Sequence, residues 1–158
     1  MINPPGRLVH RRGKVAWLAV GVIAAAAIAG CSQGAASTGG QKAVPVLGRP
    51  AGLFVHGTGW GKVKPVEVFN GGDPTGHVTH ISWSSWGGSS ATGTGISDWP
   101  YPSVATGKEE SVKIVAFDLG LCAGKLTYKA VEWFFPQHGQ AFKATQYENV
   151  CTGSYVGM

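Results

Sequence analysis

The chain has 158 residues, a formal charge of +5 and 25 glycines. Four of its thirteen Lys and Arg fall within the first fourteen residues, which carry no acid, and the other nine are scattered among eight Asp and Glu. That distribution excludes the concentrated basic stripe of a nucleic-acid binder and leaves about one domain's worth of chain beyond the leader.

Arg7, Arg11, Arg12 and Lys14 precede Val15 to Ala29, an apolar run without charge. A basic segment followed by a short apolar run is the pattern of a secretory signal. The run falls short of the ~20 residues that span hydrocarbon as a helix. Arg11-Arg12 lacks the flanking residues of a twin-arginine signal, so the pair reads as a plain basic segment. The run closes on Ile28-Ala29-Gly30-Cys31, and these four residues resemble the lipobox of bacterial prolipoproteins. The resemblance implies a signal peptide over 1–30, cleavage before Cys31, a diacylglycerol thioether on the Cys31 sulfur and an acyl chain such as palmitate on the new amino terminus. It also implies residence at the extracytoplasmic face of the cell membrane. Two acyl chains make a lasting anchor where one is marginal.

From Cys31 to Pro50 the sequence is rich in Ser, Gly, Ala and Pro and too poor in apolar residues to bury itself, which predicts a flexible linker over 31–50. A small β domain is expected over 51–158. Pro65 to Phe69 and Val78 to Trp83 flank Asn70-Gly71-Gly72-Asp73-Pro74-Thr75-Gly76, a dense turn segment, and predict a hairpin. Strict alternation puts Thr79, Ile81 and Trp83 on one face and Val78, His80 and Ser82 on the other. Ser111 to Asp118 is apolar on both faces, as in a central strand. Lys125 to Phe135 is the longest strand-like run. With Pro136 to Gly139 as a turn, its expected partner is Gln140 to Val150, in a register that sets Phe135 opposite Gln140 and Cys151 opposite Gly124. Ala141 to Glu148 is the one segment with a helical alternative. The fold class is therefore all-β, a small antiparallel sandwich or partly open barrel.

With Cys31 assigned to lipid, Cys122 and Cys151 remain, an even pair in an oxidising compartment, and they predict one disulfide. Trp83-Ser84-Ser85-Trp86-Gly87, followed by Ala91-Thr92-Gly93-Thr94-Gly95, resembles a pattern in small uncharacterised secreted and lipoprotein domains of actinobacteria. It implies an all-β exported domain and carries over no catalytic or binding residue.

Five tryptophans follow the leader: Trp60, Trp83, Trp86, Trp99 and Trp133. Trp83 and Trp133 alternate with aliphatic residues and read as core. Trp86, Trp99 and Tyr101 lie near Gly-rich or Pro-rich segments and are the candidates for an exposed ligand-binding platform, with plugs for the ends of a small core as the alternative. His77 and His80 point to opposite faces of a regular strand, and His56, Asp73 and His138 would have to be gathered by the fold, so no metal site or other cofactor is read from spacing. Gly87-Gly88-Ser89-Ser90-Ala91 lacks the last Gly of a nucleophile elbow, and Gly57 to Lys62 has the composition but not the spacing of a phosphate loop. Asp98, Asp118 and Glu132 supply acids for a glycosidase, whose pair must flank the scissile bond, but sequence fixes none of their separations. The reading is a lipid-anchored envelope lipoprotein with a non-enzymatic domain, either binding a protein, glycan or lipid-linked partner or purely structural, as a spacer or assembly factor. The alternative is an envelope hydrolase acting on glycan or peptide.

Overall fold

The computed structural model describes residues 42–50 and 54–157; the leader and Cys31 lie outside them. Over these residues the chain is all-β, an open, curled half-barrel of eight strands. Its helical segments are three-residue 3-10 turns at Pro74–Gly76, Val104–Thr106 and Pro136–His138. The strands are β1 (Val46–Leu47), β2 (Val68–Phe69), β3 (His77–Trp83), β4 (Ala91–Trp99), β5 (Lys108–Cys122), β6 (Lys125–Phe134), β7 (Tyr147–Asn149) and β8 (Ser154–Val156). From β2 to β8 they run antiparallel in chain order. β1 lies parallel to β6, with Val46 opposite Thr127 and Leu47 opposite Tyr128. Among the described residues no helix is long and apolar enough to cross a membrane.

The folded body therefore takes in the end of the stretch expected as linker over 31–50. Pro45 and Leu47 are buried, and Gly48 and Arg49 donate backbone hydrogen bonds to Tyr128 O and Val150 O. The short apolar segment around Val46 finds a free stretch of the β6 edge, which a linker composition does not advertise.

Curling depends on β4. Its inward positions are Ala91, Gly93, Gly95 and Ser97, all buried and all small. A Cβ on Gly95 would lie 2.6 Å from Val78 Cγ1, and one on Gly93 would lie 2.8 Å from Ser82 O. The absent side chains let β3 close over β4, and Val78, Ile81, Val112, Ile114, Ala116 and Val131 pack into the space. The Gly-Thr alternation does not advertise a strand, because its inward face carries almost no apolar mass.

The hairpin of β2 and β3 forms as expected, with Val68 opposite Val78 and Phe69 opposite His77. Strict alternation in β3 does not hold. His80 has φ +51° and the register shifts between Thr79 and Ser82, so Val78 and Ile81 are both buried. An extra residue in one strand resets its facing, the usual effect of a bulge.

β5 is central, as expected, paired with β4 on one edge and with β6 on the other. The second half of the expected hairpin fails. β6 turns back on β5 through Ala123 and Gly124, both at positive φ, the conformation that suits a two-residue hairpin loop. β7 meets β6 only at Ala130–Asn149 and Val131–Glu148, displaced by four residues from the register that sets Phe135 opposite Gln140. Gln140 to Gln146 is neither strand nor helix. Side chains take the bonds a ladder would make, because Gln140 Oε1 accepts from Phe135 N at 2.8 Å and Glu132 Oε2 accepts from Lys143 N at 2.9 Å.

Cys122 and Cys151 form a disulfide, 29 residues apart in sequence. It joins the end of β5 to the turn between β7 and β8, rather than closing the open end of a long hairpin.

Candidate functional site

β1 and β7 divide the second edge of β6. β1 covers Thr127 and Tyr128, β7 covers Ala130 and Val131, and Glu132 to Phe134 are left without a strand partner on that side. There a cleft of about 930 Å³ opens between β6, the Asn70–Gly76 turn, the segment from Gly139 to Gln146, and the β7–β8 hairpin.

Glu148 is the chemically unusual group in it. It is the middle residue of β7, opposite Val131 on one side and Tyr155 on the other. Directly opposed residues share a face of the sheet, and Val131 belongs to the core, so the glutamate is on the inner face. It is 2% exposed, and neither carboxylate oxygen has a hydrogen-bond partner among the described residues. Burial pushes its carboxyl up to about 7. The nearby Asn70 amide opposes that rise in part, but the hydrogen bond its Nδ2 donates is to Tyr155 Oη at 2.8 Å. Burial and the charges of Glu148 and Asp73 raise the Tyr155 hydroxyl in turn.

The other two acids of the cleft have different duties. Asp73 Oδ1 accepts from Thr75 N at 2.9 Å and from Thr75 Oγ1, and these bonds hold its carboxyl below the ordinary range; it caps the 3-10 turn at Pro74. Glu132, one residue on from Val131, projects to the face of β6 opposite Glu148. Partial burial raises it and the Lys143 amide lowers it. Lys143 is the cation among the described lining residues. Trp133 supplies an aromatic wall, its Nε1 donating to Thr75 O at 3.2 Å, alongside Phe54 and Tyr155.

The three platform candidates from sequence fall in two places. Trp86 packs edge-on against Trp83 and Tyr128, with ring centroids 4.6 and 5.2 Å away, and its Nε1 donates to Pro45 O at 2.9 Å. Trp99 ends β4, roughly 26 Å along the strand from Ala91 at about 3.3 Å per residue. Its ring stacks on His138 at 3.9 Å and on Tyr101 at 5.2 Å, and Tyr101 is 69% exposed. His138 Nε2 lies 2.7 Å from Glu110 Oε2, and hydrogen bonds from Gln137 and His138 lower the Glu110 carboxyl. None of these three aromatic residues lines the cleft. Trp83 and Trp133 are half-buried against the core.

Of the acids weighed from sequence for a glycosidase, Glu132 lines the cleft, while Asp118 pairs with Lys129 at 3.1 Å and Asp98 sits opposite Glu109 in the sheet. His77 meets Glu67 at 2.7 Å and His80 meets Thr79. Among the described residues no cluster of three His, Cys, Asp or Glu side chains could hold a metal ion. Residue type and spacing do not single out Glu148 or Tyr155. The available signal was parity: Glu148 is two residues from Val150, so in an extended segment an acid shares the face of a buried valine.

The sequence matches no family model, and no curated protein or solved structure is significantly similar to it.

Proposed function

We propose that the chain is a cell-envelope lipoprotein, acylated on Cys31 at the extracytoplasmic face of the membrane, whose β domain binds a ligand in the β6–β7 cleft without catalysing a reaction on it. The leader and lipobox support the anchor. The cleft, with a wholly buried carboxylate on an aromatic wall, supports the binding role and is the observation that carries it; concave apolar sites with a few placed polar groups are the usual form of a ligand site. A tethered domain meets membrane-confined ligands at high effective concentration, so a weak site suffices.

The hydrolase reading asks two acids to flank one bond. Glu148 and Glu132 project to opposite faces of the sheet, and Asp73 is committed to its turn, which favours binding over glycoside hydrolysis.

The test places a photocrosslinkable residue at Ala141, an exposed residue of the cleft, or at Ser90, in the β3–β4 loop, in the protein expressed in its native envelope. A discrete adduct is expected from position 141 and not from position 90, and it should disappear, with the protein released to the soluble fraction, in Cys31→Ala. Equal adducts from both positions, or a Cys31→Ala protein still held in the membrane fraction, would overturn the reading.

A further inference from the structure

Tyr147-Glu148-Asn149-Val150 places an acid where its neighbour two residues on is apolar and buried. A carboxylate taken out of water is costly by several kcal/mol unless a counter-charge or a set of donors meets it. Among the described residues Glu148 meets no counter-charge, and the Asn70 amide offsets its burial only in part. The two oxygens of Glu148 have no hydrogen-bond partner among the described residues, the side chain is 2% exposed, and yet Glu148 lines the cleft. What is missing is a positive charge, and no described cation brings one: the charge of Lys143, the cleft's one described cation, acts on the Glu132 carboxyl and not on Glu148.

We propose that the cleft takes an organic cation, a primary ammonium on an apolar stem, with the charge seated on the Glu148 carboxylate and the stem lying against Trp133, Phe54 and Tyr155. The inference rests on the cleft being the binding site and names the class of ligand it holds. Three acids against one lysine disfavour an anion. A hard metal ion needs several oxygen ligands, whereas the groups beside Glu148 are an amide, a phenol and aromatic rings. An ammonium needs one carboxylate, and aromatic faces add cation–π attraction. Tyr155, 54% exposed and joined to Asn70 by a hydrogen bond, is the side chain that yields to admit the cation.

The titratable groups round the site separate by behaviour. Asp73 is held below the ordinary carboxylate range and stays ionised near neutrality, and Tyr155 is raised and stays protonated there. Glu132 faces away across β6 and feels the charge of Lys143, and Glu148 changes charge near pH 7.

The experiment is calorimetric titration of the full-length protein with benzylammonium, and with benzyl alcohol as its uncharged counterpart, at pH 6 and pH 8. Ionisation of Glu148 about pH 7 makes the expected gain in benzylammonium affinity from pH 6 to pH 8 about tenfold, with benzyl alcohol unchanged. Glu148→Gln should abolish the gain, whereas Glu132→Gln should keep it; the wild-type pH comparison stands even if the first variant does not fold. Equal binding of the two probes would overturn the ammonium assignment and leave the cleft as a site for neutral ligands. Binding of neither would overturn it too, and the adduct from position 141 then decides separately whether the cleft binds anything.

Discussion

Replacing Glu148 by Gln should make the domain's stability less dependent on pH, in a direction fixed by burial. The carboxyl has an ordinary value of 4.5 and is pushed up to about 7 in the fold. Below 4.5 it is protonated in both the folded and the unfolded chain and contributes no penalty. Between 4.5 and 7 the unfolded chain loses the proton while the folded chain keeps it, so stability falls as pH rises. Above about 7 both states are ionised and the loss levels off. At about 1.4 kcal/mol per pH unit, that interval amounts to a loss on the order of 3 kcal/mol in the wild type. Gln has no such term, and its own unsatisfied amide weakens the fold equally at every pH. Urea unfolding followed by tryptophan fluorescence, at pH 4.5, 6 and 8 with the disulfide intact, should show the wild type losing most of that amount relative to Glu148→Gln before pH 7. Glu132 shifts in the same direction, and Asp73 and Glu110 in the opposite one, but all three are common to both proteins and cancel in the difference. Parallel stability curves would show that the Glu148 carboxyl is not buried as described, and the argument for an unmet charge in the cleft would go with it.

Three further outcomes follow from the packing. Cys122→Ala with Cys151→Ala opens a loop of 29 residues and should lower stability by about 3.5 kcal/mol in denaturant titration, with faster amide exchange in β7 and β8 than in β5; a change below 1 kcal/mol would contradict it. Tyr128 is fully buried, its hydroxyl accepting from Gly87 N at 2.8 Å and donating to Gly88 O at 3.0 Å. Tyr128→Phe strands both backbone groups, so a loss of about 2 kcal/mol is expected by urea unfolding, and a neutral result would mean water replaces the phenol. Gly95→Val would drive a side chain into Val78 and Thr79 O, an overpacking of about 3 kcal/mol that should appear as a lowered melting temperature; an unchanged one would show that β4 does not hold β3 so closely.

The parts of the fold legible in sequence are those where side-chain mass alternates. β5 reads as central because Ile114 to Phe117 are apolar on both faces, and its outer residue Phe117 does pack, on Phe142 and Tyr147. The Asn70–Gly76 turn reads from its residue types, and the disulfide from the even pair of cysteines left once Cys31 is set aside. The pattern fails where the reason for a strand is absence of mass, as along Ala91, Gly93, Gly95 and Ser97, and where one residue at positive φ, His80, resets the alternation. The tryptophans look alike in sequence because a surface platform and a core plug need the same ring. Their roles separate only when the indole N–H finds its acceptor: Trp60, Trp83, Trp86 and Trp133 each donate to a backbone carbonyl on another segment, at 2.8 to 3.2 Å, whereas Trp99 is held by stacked rings.

The same failure of pattern creates the cleft. A full-length strand from Gln140 to Val150 would have paired β6 to its end and filled the space of the cleft. Instead Gln140 and Glu132 bond backbone N–H groups across the turn and its return segment, the chain stays irregular until Tyr147, and β7 holds β6 by two residue pairs. So short a ladder is a weak attachment for the strand that carries Glu148. The disulfide meets that need at Cys151, three residues further on, and Tyr128 O and Val150 O receive the backbone of Gly48 and Arg49 from the other side. Covalent fastening and the β1 crossing thus hold a buried acid at the rim of an unfinished sheet edge, where packing alone would favour closing over it.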